Sequence, residues 1–214
     1  MKPVEFPVKP EEILQLFVES QTSELFCIQL HIDLLFVGYN DYIVILRRTD
    51  QGHFDYEHII SVKYNNEDQA SISSFIVDDQ QLWISSANIL SIYDISDDKK
   101  TYGLLMKTAF DDENDTCESM IAVNGFIWCG STYGKLYVFR TDNYDLSKSF
   151  DGHHDKIRSL CIMTDKYLCS GSSSNDTSIA IWKIQSETKC SSLLTSSRPT
   201  THRRSTLRIL QNFL

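Results

Sequence analysis

Hydrophobic positions in this chain fall in short runs broken by polar or glycine-containing stretches, and the runs recur. Four of them end in a small residue: Leu35-Phe36-Val37-Gly38, Leu82-Trp83-Ile84-Ser85, Ile127-Trp128-Cys129-Gly130 and Leu168-Cys169-Ser170-Gly171. The small residues stand 47, 45 and 41 positions apart. A second run follows each of them (Ile43 to Leu46, Leu90 to Tyr93, Leu136 to Phe139, Ile179 to Trp182), starting 5, 5, 6 and 8 residues on. A third precedes each pair (Phe26 to Leu30, Ile72 to Val77, Ser119 to Val123, Ile157 to Met163). The links between third and first runs are short. Asn124-Gly125 suits a type I′ hairpin, whose two central residues need positive φ, and Asp165-Lys166 occupies the same place in another unit. More polar runs lie between the units (His58 to Tyr64, Gly103 to Ala109, Tyr144 to Phe150), as edge strands should.

A period of forty-odd residues made of four short antiparallel strands is the size of one propeller blade. The expected architecture is all-β, with four recognisable blades over residues 23–188, divided at about 23–55, 56–100, 101–143 and 144–188. One stretch departs from strand periodicity. Pro10 to Glu19 has proline at a helix start, Glu11 and Glu12 in the first turn, and Ile13, Leu14, Phe17 and Val18 on one face, which predicts a short helix within the N-terminal segment 1–22. Residues 189–214 are rich in Ser, Thr and Arg and predict a disordered basic tail, with Leu207, Ile209, Leu210, Phe213 and Leu214 available to dock weakly on a partner or to pack on the open edge.

The last unit resembles the WD-repeat family. It runs Gly152-His153, Ile157 and Leu160, Leu168-Cys169-Ser170-Gly171, Asp176, then Ile179-Ala180-Ile181-Trp182; Lys183 stands where the family has aspartate. The second unit keeps Tyr93-Asp94 in the Trp-Asp place, the third keeps Trp128-Cys129-Gly130, and the first keeps Phe36-Val37-Gly38. The resemblance implies that His153, Ser170, Asp176 and Trp182 form a buried hydrogen-bond chain. Their donor and acceptor inventory allows every member to be satisfied. These divergent blades are similar to those at the C-terminal ends of large signalling proteins: Roco-type kinases, DENN-domain exchange factors and some Rho exchange factors. WD-repeat propellers usually close with seven blades, so four point to a partial propeller that is a fragment of a larger protein, to one completed by further blades in cis or trans, or to a small four-bladed ring or open arc.

Composition narrows the function. Net charge is −9, and the acidic residues avoid the tail, leaving 15 basic against 29 acidic residues in 1–188. Such a body repels nucleic-acid phosphates. No apolar run is long enough to span a membrane, and residues 1–20 lack the apolar core of a secretory signal, so a cytoplasmic location is expected. The six cysteines show no C-x-x-C spacing, and no metal or other cofactor is expected. The acidic stretch Asp111, Asp112, Glu113 and Asp115 offers a contact for a basic protein or peptide partner; taken blandly, it is a solvated loop. A catalytic reading of His153, Asp176 and Ser170 lacks a nucleophile elbow. The sequence thus favours a non-enzymatic protein-interaction scaffold or regulatory module, against a propeller enzyme acting on a sugar or small molecule.

Overall fold

A computed structural model describes residues 25–39, 41–62, 71–96, 102–110, 112–164, 166–173, 175–184 and 207–210. The predicted helix at Pro10 to Glu19 and Asp111 of the acidic stretch lie outside them, as does most of the tail. The described chain forms sixteen strands and no helix: β1 (Leu25–His31), β2 (Leu34–Tyr39), β3 (Tyr42–Arg48), β4 (Phe54–Ser61), β5 (Ile72–Asp78), β6 (Gln81–Ser86), β7 (Ile89–Asp94), β8 (Leu104–Ala109), β9 (Cys117–Val123), β10 (Phe126–Ser131), β11 (Lys135–Arg140), β12 (Leu146–Asp151), β13 (Ile157–Thr164), β14 (Tyr167–Ser172), β15 (Ile179–Lys183) and β16 (Leu207–Leu210).

They make four sheets of four strands, β1–β4, β5–β8, β9–β12 and β13–β16, each ordered inner to outer along the chain. Each sheet is one blade of a β-propeller. The sheets do not divide where the sequence units do. The outer strand that opens each sequence unit pairs with the blade before it: β4 with β3, β8 with β7, and β12 with β11. A polar run reads as a unit boundary in sequence, whereas in space it is the edge of the preceding sheet. Blade 4 obtains its outer strand differently. Four tail residues, Leu207–Leu210, lie parallel to β15, pairing Ile179 with Leu207 and Trp182 with Leu210. Those four residues depart from a disordered tail, because the outer edge of β15 presents unpaired backbone groups that a strand can satisfy.

The core sits between blades rather than within them. Blades 1 and 2 bury Phe36, Ile43 and Ile45 against Phe75, Leu82 and Ile84. Blades 2 and 3 bury Trp83, Leu90 and Ile92 against Ile127, Tyr137 and Phe139. Blades 3 and 4 bury Trp128, Leu136 and Val138 against Leu168, Ala180 and Trp182. Strand alternation makes this possible: in the middle strands, odd and even positions serve opposite neighbours.

The recurring small residue now has a cause. It faces the inner strand of the next blade where the two approach most closely. A Cβ on Gly38 would lie 2.9 Å from the Phe75 ring, and one on Gly130 2.5 Å from Ile157 of the next blade's inner strand. At Ser85 the hydroxyl instead accepts the Cys117 backbone N–H across the junction, at 3.3 Å.

Candidate functional site

Blade 4 carries the polar chain. The structure brings His153, Ser170, Asp176 and Trp182 together. Trp182 Nε1 donates to Ser170 Oγ at 2.9 Å. Ser170 Oγ lies 2.7 Å from His153 Nε2, and His153 Nδ1 lies 3.0 Å from Asp176 Oδ2. Indole is donor-only, so Ser170 accepts there and turns its own proton toward Nε2. That leaves the imidazole proton on Nδ1, aimed at the carboxylate. Ser178, which the sequence pattern did not single out, adds its hydroxyl 2.9 Å from Nδ1. The chain joins strand β14, strand β15, the loop before β13 and the turn before β15. Asp176 also accepts the His154 backbone N–H at 2.9 Å, pinning that loop to the turn.

This geometry speaks against Ser170 as a nucleophile. Its side chain is fully buried and its oxygen is held by the indole N–H, so no substrate carbonyl can approach. Among the described residues no group of three or more His, Cys, Asp and Glu side chains is placed to hold a metal ion.

Burial alone would push the Asp176 carboxyl up, but the His154 N–H, Ser178 and His153 together hold it below its ordinary value of 3.8. A depressed carboxylate contributes stability that is present above the unfolded-state value and is lost as pH falls through the folded one. Urea unfolding of the wild-type chain should therefore lose stability below about pH 4, and Asp176→Asn should flatten that part of the profile. An unchanged slope in the variant would remove Asp176 from the acid response.

The acidic stretch divides in two. Asp112 and Glu113 are exposed, whereas Asp115 is fully buried. Its Oδ2 accepts the Tyr137 hydroxyl at 2.9 Å, and its Oδ1 accepts the backbone N–H groups of Thr116 and Tyr133 at 3.1 and 3.3 Å. Asp115 is thus a strut inside blade 3 and is withdrawn from any partner. Nothing in the local sequence separates it from its neighbours, since its anchor, Tyr137, comes 22 residues later.

The strut positions the residue that sequence reasoning missed. Tyr133, at the turn between β10 and β11, is 54% exposed. On one side stands the 112–116 loop, whose Thr116 carbonyl accepts the Thr132 N–H at 2.9 Å. On the other, the Gly134 carbonyl accepts the N–H groups of Gly152 and His153 at 3.0 and 2.9 Å, placing the turn against the loop that carries Asp155. Asp155 accepts Ser173 Oγ at 2.6 Å and the Lys156 and Asn175 N–H groups at 2.8 and 3.1 Å. The Ser173 hydroxyl and those N–H groups hold its carboxyl below the ordinary range, so it stays charged. An exposed tyrosine thus stands at the end of the propeller that carries the blade-linking loops, on a turn tied to the 112–116 loop with its exposed Asp112 and Glu113 and to the loop of Asp155.

The fold is that of a WD-repeat-like β-propeller. No family model matches the chain. In sequence it is 29% identical over 171 residues to DENN domain-containing protein 3 of Mus musculus, a match covering 76% of this chain and 13% of that protein. The chain therefore spans a small part of that relative. Among solved structures it is similar to a WD40 propeller chain of the mitotic checkpoint complex (TM-score 0.62, 10% identity, 77% of this chain and 49% of that one). It is similar also to the WD40 propeller Sqt1 of Saccharomyces cerevisiae (TM-score 0.58, 14% identity, 74% and 45%). The computationally designed Ika4 protein matches with TM-score 0.57 and 15% identity, over 78% of this chain and 95% of that one.

Proposed function

We propose that this chain is a protein-interaction module that takes a basic segment of a partner protein on the loop end around Tyr133. The observation that supports this reading most directly is the exposed Tyr133 on a turn hydrogen-bonded to the 112–116 loop, in which Asp112 and Glu113 are also exposed. A Lys or Arg side chain over the ring gains about 0.5–1 kcal/mol at an exposed site, and the carboxylates of that loop add steering and register. The rigid clamps beneath the turn mean that little ordering cost falls due on binding. The similarity to part of a DENN domain-containing protein supports a role as an interaction or regulatory end of a larger signalling protein. Its cytoplasmic location is part of the same proposal, with Cys27, Cys117, Cys129, Cys161 and Cys169 as reduced thiols.

The test is fluorescence anisotropy with arginine- and lysine-rich peptides set against acidic ones. Basic peptides should bind, with affinity falling as salt rises. Asp112→Lys with Glu113→Lys should weaken binding about tenfold, the order expected for losing more than one exposed ion pair. Equal affinity for acidic and basic peptides, or no effect of the charge reversal, would sink the proposal.

A further inference from the structure

Three junctions join the blades in one sense. In each, the second residue of the middle-strand motif (Phe36, Trp83 or Trp128) and the first and third of the following strand face the next blade, while the alternate residues face the previous one. The forward-facing positions are buried in blades 1 to 3: Ile43, Leu90 and Leu136 are all fully buried. The equivalent residue in blade 4, Ile179, is 48% exposed. Cys169 stands at the Phe36, Trp83 and Trp128 position, beside its cross-strand partner Cys161, with Ile181 half-buried on the same face. Blade 4 even keeps the small residue that makes room for a following inner strand. A Cβ on Gly171 would meet Ser159 of its own sheet, with nothing from a following blade among the described residues.

Blade 1 shows the converse. Its backward face carries Ile28, Leu30, Leu35, Val37, Val44 and Leu46, and the cluster formed there has no described member outside blade 1. Ile28, equivalent by register to the buried Phe75 of blade 2, is 57% exposed, and Leu30 is 56% exposed. No core cluster of described residues joins blade 4 to blade 1.

We propose that two copies of this chain close on each other head to tail, the forward face of blade 4 seating on the backward face of blade 1 of the second copy at both junctions. The occupant follows from the three internal junctions. A backward blade face is covered there only by a forward one, and among the described residues one face of each kind is left uncovered. A heterologous contact of this type closes into a ring or grows without end. Two copies give eight blades, within the range of roughly four to eight that propellers adopt, and three would exceed it. The two faces are apolar, as the covered ones are, so water is the unfavourable neighbour for both. The interaction role proposed above does not depend on this closure.

Sedimentation velocity on the full chain tests it. The expected species is a discrete dimer. Two variants at exposed positions each spoil one face: Ile28→Asp with Leu30→Asp on blade 1, and Ile179→Asp with Cys161→Asp on blade 4. Each alone should be monomeric with an unchanged circular dichroism spectrum. Mixed one to one, they should pair through the single intact junction, about 10²–10⁴-fold more weakly than the doubly closed ring. Should either variant misfold, Leu46→Cys supplies a second reading. Leu46 is the repeat equivalent of Phe139, which faces Trp83, so its proposed neighbour is Cys169 of the other copy. A short bis-maleimide should link those two peptides between isotope-labelled and unlabelled chains, and Cys169→Ser should abolish the link. A wild-type monomer at high concentration overturns the closure, whether the faces stay bare, are covered by the chain's own terminal segments, or await blades of another protein. A face-spoiled variant that still dimerises alone, or unlimited filaments, overturns it too. A monomer that still binds basic peptides would leave the interaction role standing.

Discussion

Replacing Trp182 with alanine is expected to cost about 3–5 kcal/mol, the range for removing a buried aromatic side chain from a core. Against a total stability of roughly 5–15 kcal/mol, that is enough to leave blade 4 unfolded in a large share of molecules. Two losses combine. The indole is 1% exposed, packs 5.7 Å from the Phe150 ring, and lies where a Cβ on Gly152 would touch it at 2.9 Å, so its removal opens a void bounded by backbone. It also withdraws the donor that orders Ser170, and with it the orientation of His153 toward Asp176. Trp182→Phe keeps an aromatic ring but loses the N–H, at about 1–3 kcal/mol for an unsatisfied buried acceptor, together with part of the indole's bulk. Trp128→Phe is the control. Trp128 is equally buried, but its Nε1 has no acceptor among the described residues, so the same change should cost less there. Urea unfolding followed by circular dichroism gives all three values. Equal costs for Trp182→Phe and Trp128→Phe would show that the polar chain adds nothing to stability.

The fold was legible because propeller blades are built from local signals. Strand runs, hairpin turns such as Asn124-Gly125, and the small residue at each middle-strand end all lie within one period of the sequence. The hydrogen-bonding residues of blade 4 could be picked out for a related reason: each sits at a fixed place in the repeat. What escaped the sequence depends on contacts between units. The outer strands read as openings of units because polarity marks an edge without saying whose edge it is. Asp115 looked like its acidic neighbours because its burial is decided by Tyr137 on a later strand. Tyr133 was passed over because the setting of its turn, held between the 112–116 loop and the loop of Asp155, arises only when the loops of adjacent blades meet. Ser178 had no distinguishing pattern at all, being one serine among several in the lengthened turn after Gly171. The strand at Leu207–Leu210 pairs across an interval in which no strand is described, and a short apolar run in a basic tail offers an open edge or a partner as its contact without fixing a strand or a register.

Gly134→Ala should be nearly as damaging as Trp182→Ala while removing no side-chain contact. Gly134 has φ +79°, which costs a residue with a Cβ about 1–2 kcal/mol. The new methyl would also run into the His153 carbonyl oxygen and stand 3.0 Å from the Asp155 carbonyl oxygen. Both are backbone, and neither is free to give, because the Gly134 carbonyl holds the Gly152 and His153 N–H groups in the same place. Relief therefore requires breaking those two bonds, at about 1 kcal/mol each, for a total of about 3–4 kcal/mol. Gly52→Ala calibrates the conformational part: its φ is +83°, yet a Cβ there meets nothing within 4 Å, so it should cost only the strain. The two glycines also differ in what they should do to binding. The Gly134 turn carries Tyr133 and anchors the loop of Asp155, so the substitution should weaken basic-peptide binding under conditions where the chain is still folded, and Gly52→Ala should leave binding alone. Equal stability costs at the two glycines would mean that blade 3 and blade 4 do not meet at this turn, and the proposed binding surface at Tyr133 would lose its frame.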